Sequence, residues 1–217
     1  MKDLNQYNSG MMSITPINTV VFDLGGVLID WNPDYLYRGV FPDEKERSWF
    51  LSTVCTPDWN EEQDAGRTLR EATEGLVKKF PEHESPIRAY YDRWEEMLGG
   101  PILATVDILR ELRDHSNIRL YALTNWSAET FPVALGRYDF LHWFHGRLVS
   151  GEEGIRKPFP EIYRKLIERF SIRPEQAVYV DDNLRNVIPA RELGFHGIHF
   201  QSPEQFREDL TALRILK

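Results

Sequence analysis

Three short apolar, β-branched runs, Thr19 to Phe22, Arg119 to Leu123 and Ala177 to Val180, each stop at polar or acidic residues, and a weaker fourth covers Gly197 to Phe200. Runs without alternation are what strands buried on both faces look like, and such strands belong to parallel sheets covered by helices. Ile162, Tyr163, Leu166, Ile167 and Phe170 recur at helical spacing between the second and third of these runs. Ile102, Val106, Leu109 and Leu112 make a second stripe just before Arg119. The alternation predicts an α/β fold: a doubly wound, Rossmann-like parallel sheet whose ligands gather outside the carboxyl ends of the strands.

The stretch 32–100 breaks the alternation. It offers no convincing strand and reads as amphipathic helices separated by Pro42, Pro57, Gly66, Pro81 and Pro86, that is, a small helical cap inserted in the core. The expected organisation is therefore a flexible extension over 1–16, an α/β core from 17–31 and 101–217, and a cap over 32–100. Gly99-Gly100-Pro101 reads as the hinge back into the core, with Pro101 opening the next helix. Asp30, at the other junction, is expected to be structural, as a cap of the first cap helix.

Composition narrows the function. With 34 acidic against 26 basic residues among 217, the formal charge is −8, so no basic field suits a nucleic-acid partner. Lone Cys55 excludes an internal disulfide and fits a reducing cytoplasm, where it is expected as a buried apolar residue. Neither a signal peptide nor a run of membrane-spanning length is legible, and nothing specifies a protein partner. The six histidines have no catalytic spacing.

Four segments carry chemistry. The first strand runs into Asp23-Leu24-Gly25-Gly26: a carboxylate at the sheet edge can attack phosphorus, and the glycines let backbone N–H groups approach phosphoryl oxygens. The second ends Thr124-Asn125-Trp126, a hydroxyl and an amide able to bind phosphate, with a helix opening near Ser127. Lys157, between Arg156 and Pro158 and followed by Pro160, is held in a stiff loop where its ammonium can offset a carboxylate and a phosphate. The third strand ends Val180-Asp181-Asp182-Asn183, two adjacent carboxylates that repel unless a cation relieves them. Mg²⁺ suits this oxygen set and is commonly completed by substrate phosphate. Each segment alone also has a plain reading as turn or helix-cap chemistry.

Taken together, in this order, they resemble the haloacid dehalogenase superfamily over Val20 to about Phe200, in the helical-cap branch with an Asp-Asp last motif. Ser150-Gly151-Glu152 through Lys157-Pro158, Ile162-Tyr163 and Val180-Asp181-Asp182-Asn183 carry the likeness, which extends to sugar-phosphate phosphatases of the glucose-1-phosphate phosphatase type. The resemblance implies a Mg²⁺-dependent phosphatase of small phosphorylated metabolites, sugar phosphates favoured. It makes Asp23 the nucleophile and a metal ligand, and has Thr124, Asn125, Gly25 and Gly26 at the phosphate. Lys157 bridges nucleophile and phosphate, and Asp182, Asp181 and the Gly25 carbonyl complete the metal site.

One position departs from the pattern. Most phosphatases of the family place a second aspartate two residues after the nucleophile for proton transfer; this chain has Gly25, a glycine that some similar members regarded as phosphatases also carry. In the cap, Pro57-Asp58-Trp59-Asn60-Glu61-Glu62-Gln63-Asp64-Ala65-Gly66-Arg67 is dense in carboxylates, and it reads equally as a solvated helix-capping loop or as the place where Asp64 or Glu62 supplies that proton or binds substrate hydroxyls. The alternatives are a metal-independent 2-haloacid dehalogenase and a non-catalytic binding module of the same fold.

Overall fold

The computed structural model describes residues 16–115 and 117–217. The extension expected over 1–16 lies almost wholly outside them. In chain order come β1 (Thr19–Phe22), β2 (Ile29–Trp31), α1 (Pro33–Val40), α2 (Glu44–Thr53), α3 (Pro57–Asp64), α4 (Leu69–Lys79), α5 (Glu84–Asp92), β3 (Leu98–Pro101) and α6 (Leu103–Asp114). The chain continues through β4 (Arg119–Thr124), α7 (Phe131–Arg137), β5 (Gly146–Val149), α8 (Ser150–Glu153), α9 (Pro160–Phe170), β6 (Ala177–Asp181), α10 (Leu184–Glu192), β7 (His196–His199) and α11 (Pro203–Ala212).

Five parallel strands lie in the order β5-β4-β1-β6-β7. The chain leaves β1 for β4 on one side and reaches β6 on the other, so β1 is the topological switch point. Val20 and Phe22 face one layer and Val21 the opposite one, all fully buried. Burial of such side chains stabilises by roughly 1.5–3 kcal/mol each. On the Val21 face, α9 contributes Ile162, Tyr163 and Leu166; on the other, α6 and α11 contribute Val106, Leu109, Phe206 and Leu210.

Helices α1 to α5 occupy the stretch read as a cap. Tyr37 packs on Phe50 (5.0 Å between ring centroids) and Phe50 on Phe41 (4.9 Å), while the Tyr37 hydroxyl donates to the Pro86 carbonyl at 2.8 Å. Thr68 and Glu71 form a capping box at the start of α4.

Local expectations need correction at several places. The stretch 32–100 does contain a strand: β3 pairs antiparallel with β2 and closes the neck between core and inserted helices. Two glycines hide it, because they give a pleated face nothing to alternate. Pro101 ends that strand, and α6 begins two residues later; of the expected hinge, Gly100 does take a left-handed φ of 114°. Asn32, not Asp30, caps α1, accepting from the Asp34 N–H at 2.9 Å; Asp30 instead accepts from the Tyr35 hydroxyl at 2.7 Å. The helix expected near Ser127 begins at Phe131, after a turn in which the Ser127 hydroxyl accepts from the Glu129 N–H. Strand β5 has no counterpart among the expected strands: it is an edge strand carrying Gly146 and Arg147, so it lacks an unbroken apolar run.

Candidate active site

Three strand ends meet at one point. Asp23 follows β1, Thr124 ends β4 and Asp181 ends β6, all buried. Lys157, on the loop before α9, is completely buried among them. Its ammonium lies 2.9 Å from Asp23 Oδ2 and 2.7 Å from Asp181 Oδ2, and donates to the Leu123 carbonyl at 3.1 Å. Burial alone would favour a neutral amine, but Asp181 and then Asp23 outweigh it and hold the lysine charged.

The two carboxylates are not equivalent. Asp181 receives Lys157, the Tyr179 hydroxyl at 2.7 Å, the Asn183 backbone N–H at 2.9 Å and the Asn186 amide at 3.0 Å. Against its burial, these donors keep its carboxyl below the usual range. Asp23 has Lys157 and the Leu24 N–H at 2.7 Å, and burial, followed by repulsion from Asp181, raises it. Asp181 is thus the saturated anchor of the lysine, while Asp23 is the less engaged of the two and the one with some side-chain exposure.

Asp182 lies on the solvent side and packs against Gly26: a Cβ built there, at φ 72°, would sit 2.2 Å from Asp182 Oδ2. Carboxylate oxygens of Asp23, Asp181 and Asp182 all lie within 4.8 Å of one another. Three carboxylates against one lysine leave a local negative excess that a hard divalent cation fits. Asp182 is freer to ligate it than Asp181, whose oxygens are already engaged.

Asn125, expected at the phosphate, lines the cavity over this edge and also braces the lysine. Its amide accepts from the Lys157 N–H at 2.8 Å and donates to the Lys157 carbonyl at 3.0 Å, clamping the lysine's own backbone. The Thr124 hydroxyl, by contrast, is buried without a hydrogen-bond partner among the described residues. Such a group costs stability unless a ligand pairs it. Ser150 and Gly151 secure the adjoining loop: the Ser150 hydroxyl accepts from the Trp126 N–H, and a Cβ at Gly151 would come within 2.4 Å of the Ala128 nitrogen.

Over this edge lies a cavity of about 80 Å³, walled by Trp31, Tyr91, Trp94 and Trp126, with Gly25 and Asp64 among its polar and open positions. Arg156 and Arg185 reach across to Glu61 of α3, the former at 2.9 Å. Glu62 is exposed and Asp64 partly buried. Burial pushes the Asp64 carboxyl up to about 7, helped by Glu61 and opposed by Arg156, Lys157 and the Ser127 amide.

Residue-level reasoning missed Tyr179 and Asn186 as supports of Asp181. Period two along β6 puts Tyr179 on the Asp181 face, and helical spacing from Asn183 brings Asn186 back to it. The aromatic wall had no linear signal, since its four rings come from β2, α5, the turn after it and the loop after β4. Cys55 is buried, with burial raising its thiol to about 12, in keeping with an inert role.

Residues 17–194 match the family described as haloacid dehalogenase-like hydrolase. The chain belongs to this family. Among its relatives are a drimenol cyclase of Aspergillus calidoustus (27% identical over 199 residues) and a sesquiterpene phosphatase of Aspergillus oryzae (27% over 186). The aligned parts are 91% of this chain but only 36% of the cyclase, and 85% of this chain with 90% of the phosphatase. A D-ribitol-5-phosphate phosphatase of Bacteroides thetaiotaomicron is 23% identical over 208 residues, 91% of this chain and 98% of the relative. The fold of this chain is shared by a haloacid dehalogenase-family enzyme of the same bacterium solved as a magnesium complex, with a TM-score of 0.70 at 20% identity, covering 90% of this chain and 99% of that one. The haloacid dehalogenase-like fold therefore spans core and inserted helices alike, and no helix among the described residues is long and apolar enough to cross a membrane.

Proposed function

We propose that this hydrolase is a magnesium-dependent phosphatase that cleaves phosphomonoesters of small metabolites through an aspartyl-phosphate on Asp23. The observation that carries the reading is the buried constellation itself: the Asp23 carboxylate held by Lys157, beside an unpaired Thr124 hydroxyl and a carboxylate trio suited to a cation. Asp23 attacks phosphorus, Lys157 holds both nucleophile and phosphoryl oxygen, and Thr124 donates to the phosphate. Gly25 and Gly26 admit the phosphoryl group to the backbone of the turn. Asn125 acts through Lys157 by fixing its backbone.

Asp23, Asp182 and the Gly25 carbonyl are the groups that would hold the metal, with Asp181 behind them. When bound, Mg²⁺ supplies charge neutralisation between nucleophile and phosphate. A 2-haloacid carboxylate would meet the acidic pair Asp181-Asp182 without such relief, which disfavours the dehalogenase alternative. A decayed binding module has no use for a fully buried Lys157.

The cavity that Gly25, Asn125 and Asp64 share is partly open to solvent, and sugar phosphates are the first class to screen. The aromatic wall supports a second reading, a phosphate ester of an apolar alcohol, in line with the relative named a sesquiterpene phosphatase. A phosphate-release screen with Mg²⁺ over sugar phosphates and short prenyl monophosphates separates the two by kcat/KM. Asp23→Asn is expected to reduce turnover on the order of 10⁴-fold or more, and EDTA to abolish it reversibly. Turnover surviving in Asp23→Asn, or unaffected by EDTA, would overturn the reading.

A further inference from the structure

We propose that Asp64, on the cap, is the proton donor and acceptor of this site, taking the place of the side chain that Gly25 lacks. The inference rests on the phosphatase reading and adds to it the residue that protonates the leaving group. Geometry is its first support. Gly25 and Asp64 line the same cavity. A Cβ built on Gly25 meets nothing within 4 Å, so the core leaves the space in front of the glycine unfilled. Asp64 is the cap carboxylate on the wall of that space, whereas Glu62, the other candidate, is exposed and does not line it.

The helix end that carries it is also held in place. Asp64 is the last residue of α3, and its neighbour Gln63 is buried, donating to the Trp59 carbonyl at 2.9 Å and the Tyr91 hydroxyl at 2.6 Å. Gly66, at φ 99°, lets the following turn settle on the loop of Gly151 and Gly154; a Cβ there would lie 3.4 Å from the Gly154 Cα. Glu61 ties the same helix to Arg156 and Arg185, and the Leu69 N–H donates to Glu129 at 2.8 Å.

Its protonation suits the task. The groups that bear on Asp64 are Glu61 on its own helix, Arg156 and Lys157 from the core loop, the Ser127 amide, and Tyr90 and Tyr91 from α5. With burial the largest influence, the carboxyl titrates near 7 and is available as both acid and base at neutral pH. In the first step the Asp23 oxygen bonds to phosphorus as the ester P–O bond breaks, and the Asp64 proton passes to the departing oxygen, giving the alcohol. In the second, the Asp64 carboxylate takes a proton from water as the water oxygen bonds to phosphorus. The P–O bond to Asp23 breaks, returning the Asp23 carboxylate, inorganic phosphate and a protonated Asp64.

The test uses full-length, Mg²⁺-supplemented protein with p-nitrophenyl phosphate, comparing Asp64→Asn, Gly25→Asp and the double variant. Nitrophenolate leaves without much help, so Asp64→Asn is expected to release it in a burst and then stall, with steady-state kcat down about 10²–10⁴-fold and KM falling with it, because both scale with the slowed dephosphorylation step. The limb of the kcat profile near pH 7 should disappear with it. In the double variant, the carboxylate that Gly25→Asp supplies from the core is expected to raise kcat at least about tenfold over Asp64→Asn alone. Steady-state kcat of Asp64→Asn within about threefold of wild type, or a loss confined to KM, overturns the proposal; so does a double variant without rescue, which marks Asp64 as merely structural. If instead the wild type forms no phosphoenzyme and Asp23→Asn changes nothing, the phosphatase reading itself has failed.

Discussion

The sheet edge and the cap both present carboxylates to one cavity, but they hold them differently. Asp181 at the edge has four donors on two oxygens, one of them a lysine that is itself sealed from water. Asp64 in the cap has no comparable set; its helix is kept in place by partly exposed ion pairs through Glu61. A cluster wired like the first is finished before substrate arrives and changes only if the core breaks. Contacts like the second can open and close at little cost. The difference teaches where the two proposed roles would be tuned separately: attack by Asp23 would be fixed by the core, and proton transfer by Asp64 would depend on the contacts that hold α3 against it.

The contrast is broken most severely by Lys157→Met. The variant leaves Asp23 and Asp181 buried together without their cation, and breaking such a cluster costs about 3–5 kcal/mol. Urea unfolding should show a large loss of stability together with loss of turnover. Stability equal to wild type would mean that the lysine is not the electrostatic centre of the edge.

A smaller effect separates Asp64 from that centre through pH. Its native pKa, about 7, stands above the roughly 3.9 of an unfolded aspartate. Between these values the native chain holds a proton that the unfolded chain has released, so the contribution to stability is complete below about pH 4 and is lost as pH rises through 7. Asp64→Asn, uncharged throughout, is expected to gain on the wild type as pH is raised from about 4.5 to about 8, read as a narrowing or reversal of the difference in urea midpoint. A difference that is constant with pH would show that the carboxyl is not desolvated.

This division also explains what could be read in the sequence. The strands β1, β4 and β6 announce themselves because a strand buried on both faces must be apolar throughout, and the residues that end them carry the chemistry. Their positions along the chain therefore gave away the meeting of Asp23, Thr124 and Asp181. The clamp made by Asn125 was hidden because an amide at a strand end looks the same whether or not it also holds the backbone of a lysine 32 residues away. The aromatic wall was hidden for a related reason: Trp31, Tyr91, Trp94 and Trp126 converge only once the inserted helices fold back on the core, and nothing in their spacing encodes that return.

The mildest perturbation is the most specific test of the cap. Glu61 sits between Arg156 and Arg185, and Arg156 precedes Lys157, so the contact joins the seated cap to the very loop that carries the core's cation. Partly exposed pairs of this kind are worth up to about 1 kcal/mol, which corresponds to roughly a fivefold shift between seated and open cap. Glu61→Gln should therefore lower kcat/KM about fivefold while leaving the urea midpoint nearly unchanged. Because salt screens exposed charges, the wild-type kcat/KM should fall toward that of the variant as ionic strength rises from about 0.05 to about 0.5 M, and the variant should respond less. Equal salt responses in the two proteins would show that the arginines do not hold the cap, and that Asp64 owes its position to the packing around Gln63 and Gly66 alone.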